Sequence, residues 1–174
     1  MSETIKPAHS PDPEKIRSMF SKVAANYDRA NSVLSVGIHH LWRKKLVQLA
    51  EVKPGMSVLD CATGTGDLAI EFKKNVGPSG LVIGTDFCAE MLESAPQKSK
   101  TAGLDIQFEL ADVTKLQYQN QKFDRVSISF GIRNVSDPVL ALKEMARVTK
   151  PGGRVLVLEF GQMTMPVISG LYNF

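Results

Sequence analysis

The stretch Val58-Leu-Asp-Cys-Ala-Thr-Gly-Thr-Gly-Asp-Leu-Ala69 decides the fold of this chain. Strand-type residues at its start run into a loop that holds Gly64 and Gly66, and a helical pattern follows the loop. Glycine accepts positive φ and lets backbone N–H groups approach a ligand closely, while the following helix presents its positive N-terminal end. The stretch therefore predicts a strand, a glycine loop and a helix around a nucleotide-type ligand.

Strands and helices alternate after this stretch. The predicted strands are 57–61, 81–85, 105–110, 123–130 and 154–160, and the predicted helices are 66–75, 89–101 and 137–149, with a turn at 150–153. Continuous apolar runs such as Val-Leu-Val-Leu at 155–158 are typical of strands that are buried on both faces. This alternation predicts a doubly wound parallel sheet, in which ligands bind at the carboxyl ends of the strands.

Two helices are predicted before the first strand. Asp12 followed by Pro13 is typical of a helix start, and apolar residues at helical spacing follow at Ile16, Met19, Phe20 and Val23. We expect this stripe to pack against the core, and we expect a second helix from 38 to 51. The resulting domain plan is a disordered leader at 1–12, a helical cap at 13–51, an α/β core at 52–161 and the start of a further element at 162–174.

Composition and charge exclude several classes of protein. The chain has 174 residues, of which 43% are hydrophobic, and a formal net charge of +3, so we expect a globular domain without a nucleic-acid partner. There is no apolar run of about eighteen residues and no signal peptide, which predicts a cytoplasmic location. Cys61 and Cys88 offer no metal-ligand spacing. The basic run 43–45 predicts either a solvated helix face or a weak attraction to anionic lipid.

The glycine loop alone leaves two cofactors open. Gly64, Gly66 and Ala69 satisfy the fingerprint Gly-x-Gly-x-x-Ala, and Asp86 follows about twenty residues later, as in dinucleotide-binding dehydrogenases. A dehydrogenase would also need a nicotinamide site and usually a catalytic domain, which this sequence does not offer.

Polar residues around the loop favour S-adenosylmethionine instead. Asp60 ends the first strand, Thr65 stands within the loop, and Asp112 follows the third strand. Carboxylates suit a cofactor with a sulfonium, an amino group and an adenine, whereas they would repel a pyrophosphate. Asp86 can accept from both ribose hydroxyls and Asp112 from the adenine amine. The alternative is that these aspartates only cap helices and turns.

Three further segments resemble the ubiquinone/menaquinone biosynthesis C-methyltransferases, the UbiE/MenG family. They are Tyr27-Asp28-Arg29-Ala30-Asn31 continuing through Ser35 and His39 to Trp42, then Ser127 to Asn134, and Arg147 to Gly153 running to Glu159-Phe160. Ala30, Thr149 and Gly161 depart from the family pattern. The resemblance implies a class I S-adenosylmethionine-dependent methyltransferase fold, which is a Rossmann-like doubly wound sheet with N-terminal helices. Because members of the family continue with more helix and two further strands, we expect the last strands to be missing and the chain to be truncated.

The resemblance also implies a reaction and a cofactor site. The reaction is methyl transfer from S-adenosylmethionine, which becomes S-adenosylhomocysteine, to a ring carbon of a polyprenylated quinol in menaquinone or ubiquinone biosynthesis. The implied cofactor contacts are Thr65, Asp86, Asp112, Val113 and Ser129, and Asp60, Gly64 and Gly66 complete the predicted site. Two alternatives are a methyltransferase that acts on another small molecule and a non-catalytic cofactor-binding module that acts through a partner.

Methylation of a quinol ring requires a base and a partner for the ring oxygen. Arg133 is predicted to polarise a quinol oxygen or a water, against a structural ion pair, and Asn134 to orient the same water. His39 has a suitable pKa for a base, against a structural role beside Trp42. Tyr27 is predicted to close over the cofactor, against plain core packing.

Two interactions of the whole molecule are also expected. The apolar stripe of the first helix predicts peripheral contact with the inner face of a membrane, as the alternative to packing. An uncovered fifth strand predicts pairing between copies, which would give a homodimer.

Overall fold

The computed structural model describes residues 11–24 and 38–160, without the side chain of His39. The helices are α1 (Pro13–Val23), α2 (Ile38–Ala50), α3 (Asp67–Val76), α4 (Ala89–Leu92), α5 (Ala95–Thr101) and α6 (Pro138–Val148), and a short 3-10 helix spans Ile132–Asn134. The strands are β1 (Ser57–Cys61), β2 (Leu81–Asp86), β3 (Gln107–Leu110), β4 (Phe123–Ser129) and β5 (Thr149–Leu158). The predicted leader lies largely, and the segment 162–174 wholly, outside the described residues.

The strands form one parallel sheet in the order β3-β2-β1-β4-β5. The chain moves outward from β1 to β3 on one side and then returns to add β4 and β5 on the other side. The order therefore reverses between β1 and β4, which is where an open α/β sheet leaves a crevice for a ligand. The predicted doubly wound parallel sheet is confirmed.

Both faces of the sheet are buried. Successive residues of a strand point to opposite faces, so Val58 packs with the α2 and α3 side chains while Leu59 joins the cluster that contains Met145 of α6. Val58 and Leu59 are both fully buried. The continuous apolar character of these strands follows from this double cover.

Two predicted elements differ from the structure for local reasons. The single helix predicted at 89–101 is interrupted between α4 and α5, because Pro96 in the first turn of α5 has no N–H to donate to the preceding turn. The turn at 150–153 lies inside β5 as an insertion, between the pairs Phe123↔Thr149 and Arg125↔Arg154. The glycines of this turn thus bulge out of the ladder without ending the strand.

The first helix begins as predicted but packs differently. Asp12 is its N-cap, and the carboxylate accepts the backbone N–H of Glu14 at 3.0 Å. The apolar stripe packs only in part, because Ile16 and Phe20 are half-buried while Met19 is 46% exposed, and no residue of α1 is fully buried. Instead of lying on a face of the sheet, α1 contacts α4 at the carboxyl edge. Within the described ranges, no helix combines the length and the apolar character that crossing a membrane requires.

Arg125 on β4 anchors the end of α2. The residue is 7% exposed. Its guanidinium donates to the Ala50 carbonyl, to the Glu51 carbonyl at 3.2 Å and to the Asp124 carbonyl at 2.8 Å. These carbonyls include the last ones of α2, which have no partner within the helix. The strand therefore caps the helix that precedes it in the sequence.

Replacing Arg125 with methionine should lower the free energy of unfolding by about 2–4 kcal/mol, because the buried Ala50 carbonyl and two part-buried carbonyls lose their donor. Urea denaturation measures this loss. Arg154→Met is the matched control: its guanidinium also donates to α2, to the Leu49 carbonyl at 2.8 Å, but its side chain is 44% exposed. The control should lose less than about 1 kcal/mol. Equal losses for the two variants would contradict the capping role of Arg125.

Candidate active site

A cavity lies at the carboxyl ends of the strands, on the crevice between β1 and β4. It is lined by five residues predicted from the sequence to be functional, Asp86, Asp112, Val113, Ser129 and Asn134. Phe87, Met91 and Phe130 add apolar wall, and Phe20 of α1 covers one side. The structure thus brings together side chains from the loops after β2, β3 and β4, which lie far apart in the sequence.

Asp86 braces the glycine loop from the end of β2. One carboxylate oxygen accepts the Gly64 N–H at 2.9 Å and the other accepts the Cys88 N–H at 3.0 Å. Burial raises the pKa of Asp86 despite these hydrogen bonds, which act to lower it. Each carboxylate oxygen can accept two hydrogen bonds, so capacity remains for hydroxyl groups of a ligand in the cavity.

The two glycines of the loop serve its conformation. Gly64 and Gly66 have φ of 57° and 85°, a region that side-chain-bearing residues rarely adopt. The Gly66 N–H donates to the Thr63 carbonyl at 3.0 Å, and the Gly64 N–H donates to Asp86. Both N–H groups are therefore bonded within the protein instead of facing the cavity as donors. The aromatic ring of Phe108 on β3 lies directly against Gly66.

Asp60 supports the same loop from beneath. Its side chain is on β1 and the residue is 1% exposed; its oxygens accept the Thr63 hydroxyl and the Ser127 hydroxyl, both at 2.7 Å. Burial raises the pKa of Asp60 to about 6, although these hydrogen bonds act to lower it. Asp60 does not line the cavity, so its contact with a cofactor stays a prediction. In the structure, its hydrogen bonds hold the loop in place.

The raised pKa of Asp60 should make stability depend on pH. The pKa is about 6 in the folded protein and 3.8 ordinarily, so the folded state binds more protons between these values and loses stability as pH rises through them. Asp60→Asn removes this dependence. The free energy of unfolding of the original chain, relative to the variant, should fall by about 2–3 kcal/mol between about pH 4 and pH 7.

Thermal unfolding of the original chain and of Asp60→Asn in matched buffers measures this difference in stability. The other titrating groups are the same in both proteins, so their contributions cancel. Asp105→Asn, at an exposed position before β3, controls for the replacement of an aspartate by asparagine. A flat or rising difference for Asp60→Asn would contradict the assigned pKa.

Thr65 does not line the cavity. Its hydroxyl accepts from the Lys98 ammonium at 3.1 Å, and Lys98 also pairs with Asp67, the first residue of α3. Arg43 of α2 binds the other oxygen of Asp67 at 2.6 Å. Burial would raise the pKa of Asp67, but Lys98 and Arg43 lower it. The structure therefore ties the loop to α2 and α5 through Thr65 and Asp67, and direct contact of Thr65 with a cofactor stays a prediction.

Arg43 differs from the prediction made for the basic run 43–45. The run 43–45 was expected to be a solvated helix face, yet the side chain of Arg43 is only 11% exposed and paired. Lys44 and Lys45 are exposed as expected.

The loops after β3 and β4 supply polar groups at the cavity. One oxygen of Asp112 accepts the Thr114 N–H at 2.8 Å and the Thr114 hydroxyl at 2.7 Å, which fixes the carboxylate at the rim. Ser129 lines the cavity, and its hydroxyl is buried without a hydrogen-bond partner in the described part of the chain. A buried hydroxyl of this kind fits a ligand that supplies its missing partner.

The two described candidates for catalysis, Arg133 and Asn134, are neighbours in the sequence but have different surroundings. Asn134 lines the cavity, whereas Arg133 forms an ion pair with Glu159, which follows β5. The ion pair was the structural alternative for Arg133, and Glu159 is a residue that the sequence reasoning missed as a functional candidate. Its position directly after an apolar strand, at the carboxyl edge of the sheet, could have indicated Glu159 as a candidate. Tyr27 and the side chain of His39 lie outside the described residues.

The family model and the similar curated proteins agree on one methyltransferase family. The model of the ubiE/COQ5 methyltransferase family matches residues 9–174. The chain is 72% identical to the ubiquinone/menaquinone biosynthesis C-methyltransferase UbiE of Bdellovibrio bacteriovorus, over 95% of this chain and 70% of that protein. It is 42% identical to the demethylmenaquinone methyltransferase of Staphylococcus carnosus, over 92% of this chain and 66% of that protein.

Solved structures confirm the fold class. A S-adenosylmethionine-dependent methyltransferase from Aquifex aeolicus superposes with a TM-score of 0.64 at 25% identity, covering 89% of this chain and 76% of that one. The cyclase SpnF superposes with a TM-score of 0.76 at 21% identity, covering 90% of this chain and 64% of that one, which shows a shared fold only. The sheet is therefore that of a class I methyltransferase, as the sequence predicted.

Proposed function

Because the chain belongs to the ubiE/COQ5 methyltransferase family, we propose that it transfers a methyl group from S-adenosylmethionine to a ring carbon of a polyprenylated quinol. Its two relatives described above carry names from ubiquinone and menaquinone biosynthesis. The chain spans 70% and 66% of their lengths, so the activity of those proteins comes to this chain as a proposal.

The carboxylates at the cavity are the observation that carries the choice of methyl donor. Asp86 alone would also suit a dinucleotide, but Asp112 lines the same cavity as a second carboxylate, and both glycine N–H groups of the loop are bonded within the protein. A pyrophosphate would meet negative charge and would lack these two glycine donors. Ribose hydroxyls and an adenine amine are donors themselves, so they suit the same carboxylates.

The residues of the cavity have separate tasks in this proposal. Asp86 holds the ribose hydroxyls, Asp112 accepts from the adenine amine, and the Ser129 hydroxyl gains a polar partner. When bound, the sulfonium supplies an electrophilic methyl group to a nearby carbon. Asn134, on the same cavity, orients the water that takes the phenolic proton of the quinol, which leaves negative charge at the ortho carbon for attack on the methyl group.

The acceptor is tested by mass spectrometry of the products. The chain is incubated with S-adenosylmethionine carrying a deuterated methyl group and with demethylmenaquinol or the demethylated ubiquinol precursor. We expect one labelled methyl group on the ring of at least one acceptor. The relative from Bdellovibrio bacteriovorus, assayed in parallel, shows that the conditions permit methylation. Labelled product with the relative and none with this chain would overturn the proposal.

For location and partners we propose a cytoplasmic protein that touches an anionic membrane surface through α2. Leu41 is 64% exposed and Ile38 is 45% exposed, and the exposed Lys44 and Lys45 lie on the same helix. Apolar and basic side chains together suit a lipid interface. Sedimentation with anionic vesicles should recover the chain, and Leu41→Asp should prevent recovery; equal recovery would contradict the proposed surface.

We also propose that two copies pair along the edge of β5. This strand lies at the end of the sheet, and Val157 on it is 45% exposed. Light scattering on the chain should give the mass of a dimer, and a monomer at high concentration would contradict pairing.

A further inference from the structure

Three aromatic rings continue the wall of the cavity outward. Phe130 lines the cavity, and its ring stacks on that of Phe160 with a centroid distance of 4.7 Å and an interplanar angle of 29°. Trp42 of α2 meets the edge of Phe160 at 5.6 Å and lies 6.0 Å from Phe130. Phe160 remains 52% exposed. A strip of aromatic surface, defined by Trp42, Phe130 and Phe160, therefore leads from the cavity to the outside.

The backbone holds Phe130 in an unusual conformation. Its φ is +55°, which a bulky residue seldom adopts, and its N–H donates to the Leu158 carbonyl at 2.7 Å. Such strain persists only where the surrounding structure imposes it, and it occurs mainly at ligand sites. The hydrogen bond to β5 turns the chain at the end of β4, at the point where the Phe130 ring joins the cavity wall to the strip.

Charged groups lie at the outer end of the aromatic strip. The Arg133 guanidinium is 5.5 Å from the centre of the Phe160 ring and pairs with one oxygen of Glu159, which also accepts the Phe160 N–H at 2.9 Å. The other oxygen of Glu159 is buried, and no described residue hydrogen-bonds to it. A cationic donor and an acceptor without a partner thus flank one aromatic face. An aromatic ring that carries a hydroxyl group matches this arrangement in shape and in hydrogen bonding.

We infer that the aromatic strip is the seat of the acceptor ring. The ring stacks along Phe130 and Phe160, and one of its hydroxyl groups donates to the buried oxygen of Glu159 while its oxygen accepts from Arg133. The inference rests on the proposed function and adds what that proposal leaves open: where the ring lies, and why a reduced ring is preferred. An oxidised quinone has no hydroxyl to donate to Glu159.

Trp42, the one tryptophan in the sequence, reports on this site directly. Quinones quench tryptophan emission at contact, so titration with dimethylnaphthoquinone should remove most of the emission in a saturable manner. Phe160→Leu should weaken this affinity about three- to tenfold, because an aromatic stacking partner is lost. Val139→Ala, at an exposed position on α6 away from the cavity lining, is the control and should bind as the original chain does. Non-saturable quenching, or unchanged affinity in Phe160→Leu, would overturn the inference.

The role of Glu159 is tested by competition. Dimethylnaphthoquinol, the reduced ring, should displace the quinone, and Glu159→Gln should weaken quinol binding about tenfold or more while quinone affinity stays unchanged. Glu51→Gln, which alters an exposed glutamate also paired with an arginine, should change neither affinity. An equal loss for both ring forms in Glu159→Gln would indicate a merely structural role and would overturn the assignment.

The same samples are titrated with S-adenosylhomocysteine, which separates this inference from the proposed function. Binding of S-adenosylhomocysteine without saturable quenching by the quinone refutes the aromatic seat and leaves methyl transfer intact. Loss of both refutes the two together.

Discussion

Replacing Asp86 with alanine is expected to weaken the binding of S-adenosylhomocysteine about 100-fold or more. In the structure, the carboxylate accepts the N–H groups of Gly64 and Cys88. In the proposed complex it also accepts the ribose hydroxyls. The variant therefore loses contacts with the ligand and the hydrogen bonds that hold the loop. Hydrogen bonds to a charged group contribute about 1.5–3 kcal/mol each, and two of them account for this loss. Calorimetric titration measures the affinity.

Asp105→Ala is the control for Asp86. It removes an exposed carboxylate from the segment between α5 and β3, away from the cavity lining, and should bind the ligand as the original chain does. Affinity of Asp86→Ala within about threefold of the original would show that the carboxylate does not hold the ribose.

Gly66→Ala is expected to destabilise the fold by about 2–5 kcal/mol. A Cβ at this position would lie 2.9 Å and 3.0 Å from atoms of the Phe108 ring and 3.1 Å from the Ala95 Cβ, and the residue keeps φ at +85°. Left-handed backbone costs a residue with a side chain about 1–2 kcal/mol, and overpacking adds about 1–3 kcal/mol. The melting temperature should fall by several degrees.

Gly103→Ala separates the two causes. Gly103 has φ of +68° but nothing within 4 Å of an added Cβ, so only the backbone term applies and the loss should stay near about 1–2 kcal/mol. In the double variant Gly66→Ala with Phe108→Leu, the cost of the left-handed backbone at residue 66 should remain. Equal losses at Gly66 and Gly103 would contradict the contact with Phe108.

The sheet and the position of the cavity could be predicted from the sequence. Glycines after β1 and carboxylates after β2 and β3 mark strand ends, and the carboxyl ends of parallel strands share one edge. Asp86 and Asp112 therefore had to come near each other. The N-cap at Asp12 was equally predictable, because its signals are local.

The orientation of single side chains could not be predicted in the same way. Asp60 and Asp86 both precede loops of the crevice, yet Asp60 points to Ser127 under the loop while Asp86 lines the cavity. The pairing of Arg133 with Glu159 depends on the β4–β5 register, and the ring behind Gly66 depends on how β3 aligns with β2. These are long-range facts of packing that no short pattern encodes.

Titration of the chain with S-adenosylhomocysteine and with NADH decides which cofactor the cavity binds. We expect saturable binding of S-adenosylhomocysteine at one site per chain and no binding of NADH, because the glycine N–H groups of the loop are bonded within the protein and two carboxylates line the cavity. Saturable binding of NADH with no response to S-adenosylhomocysteine would contradict it.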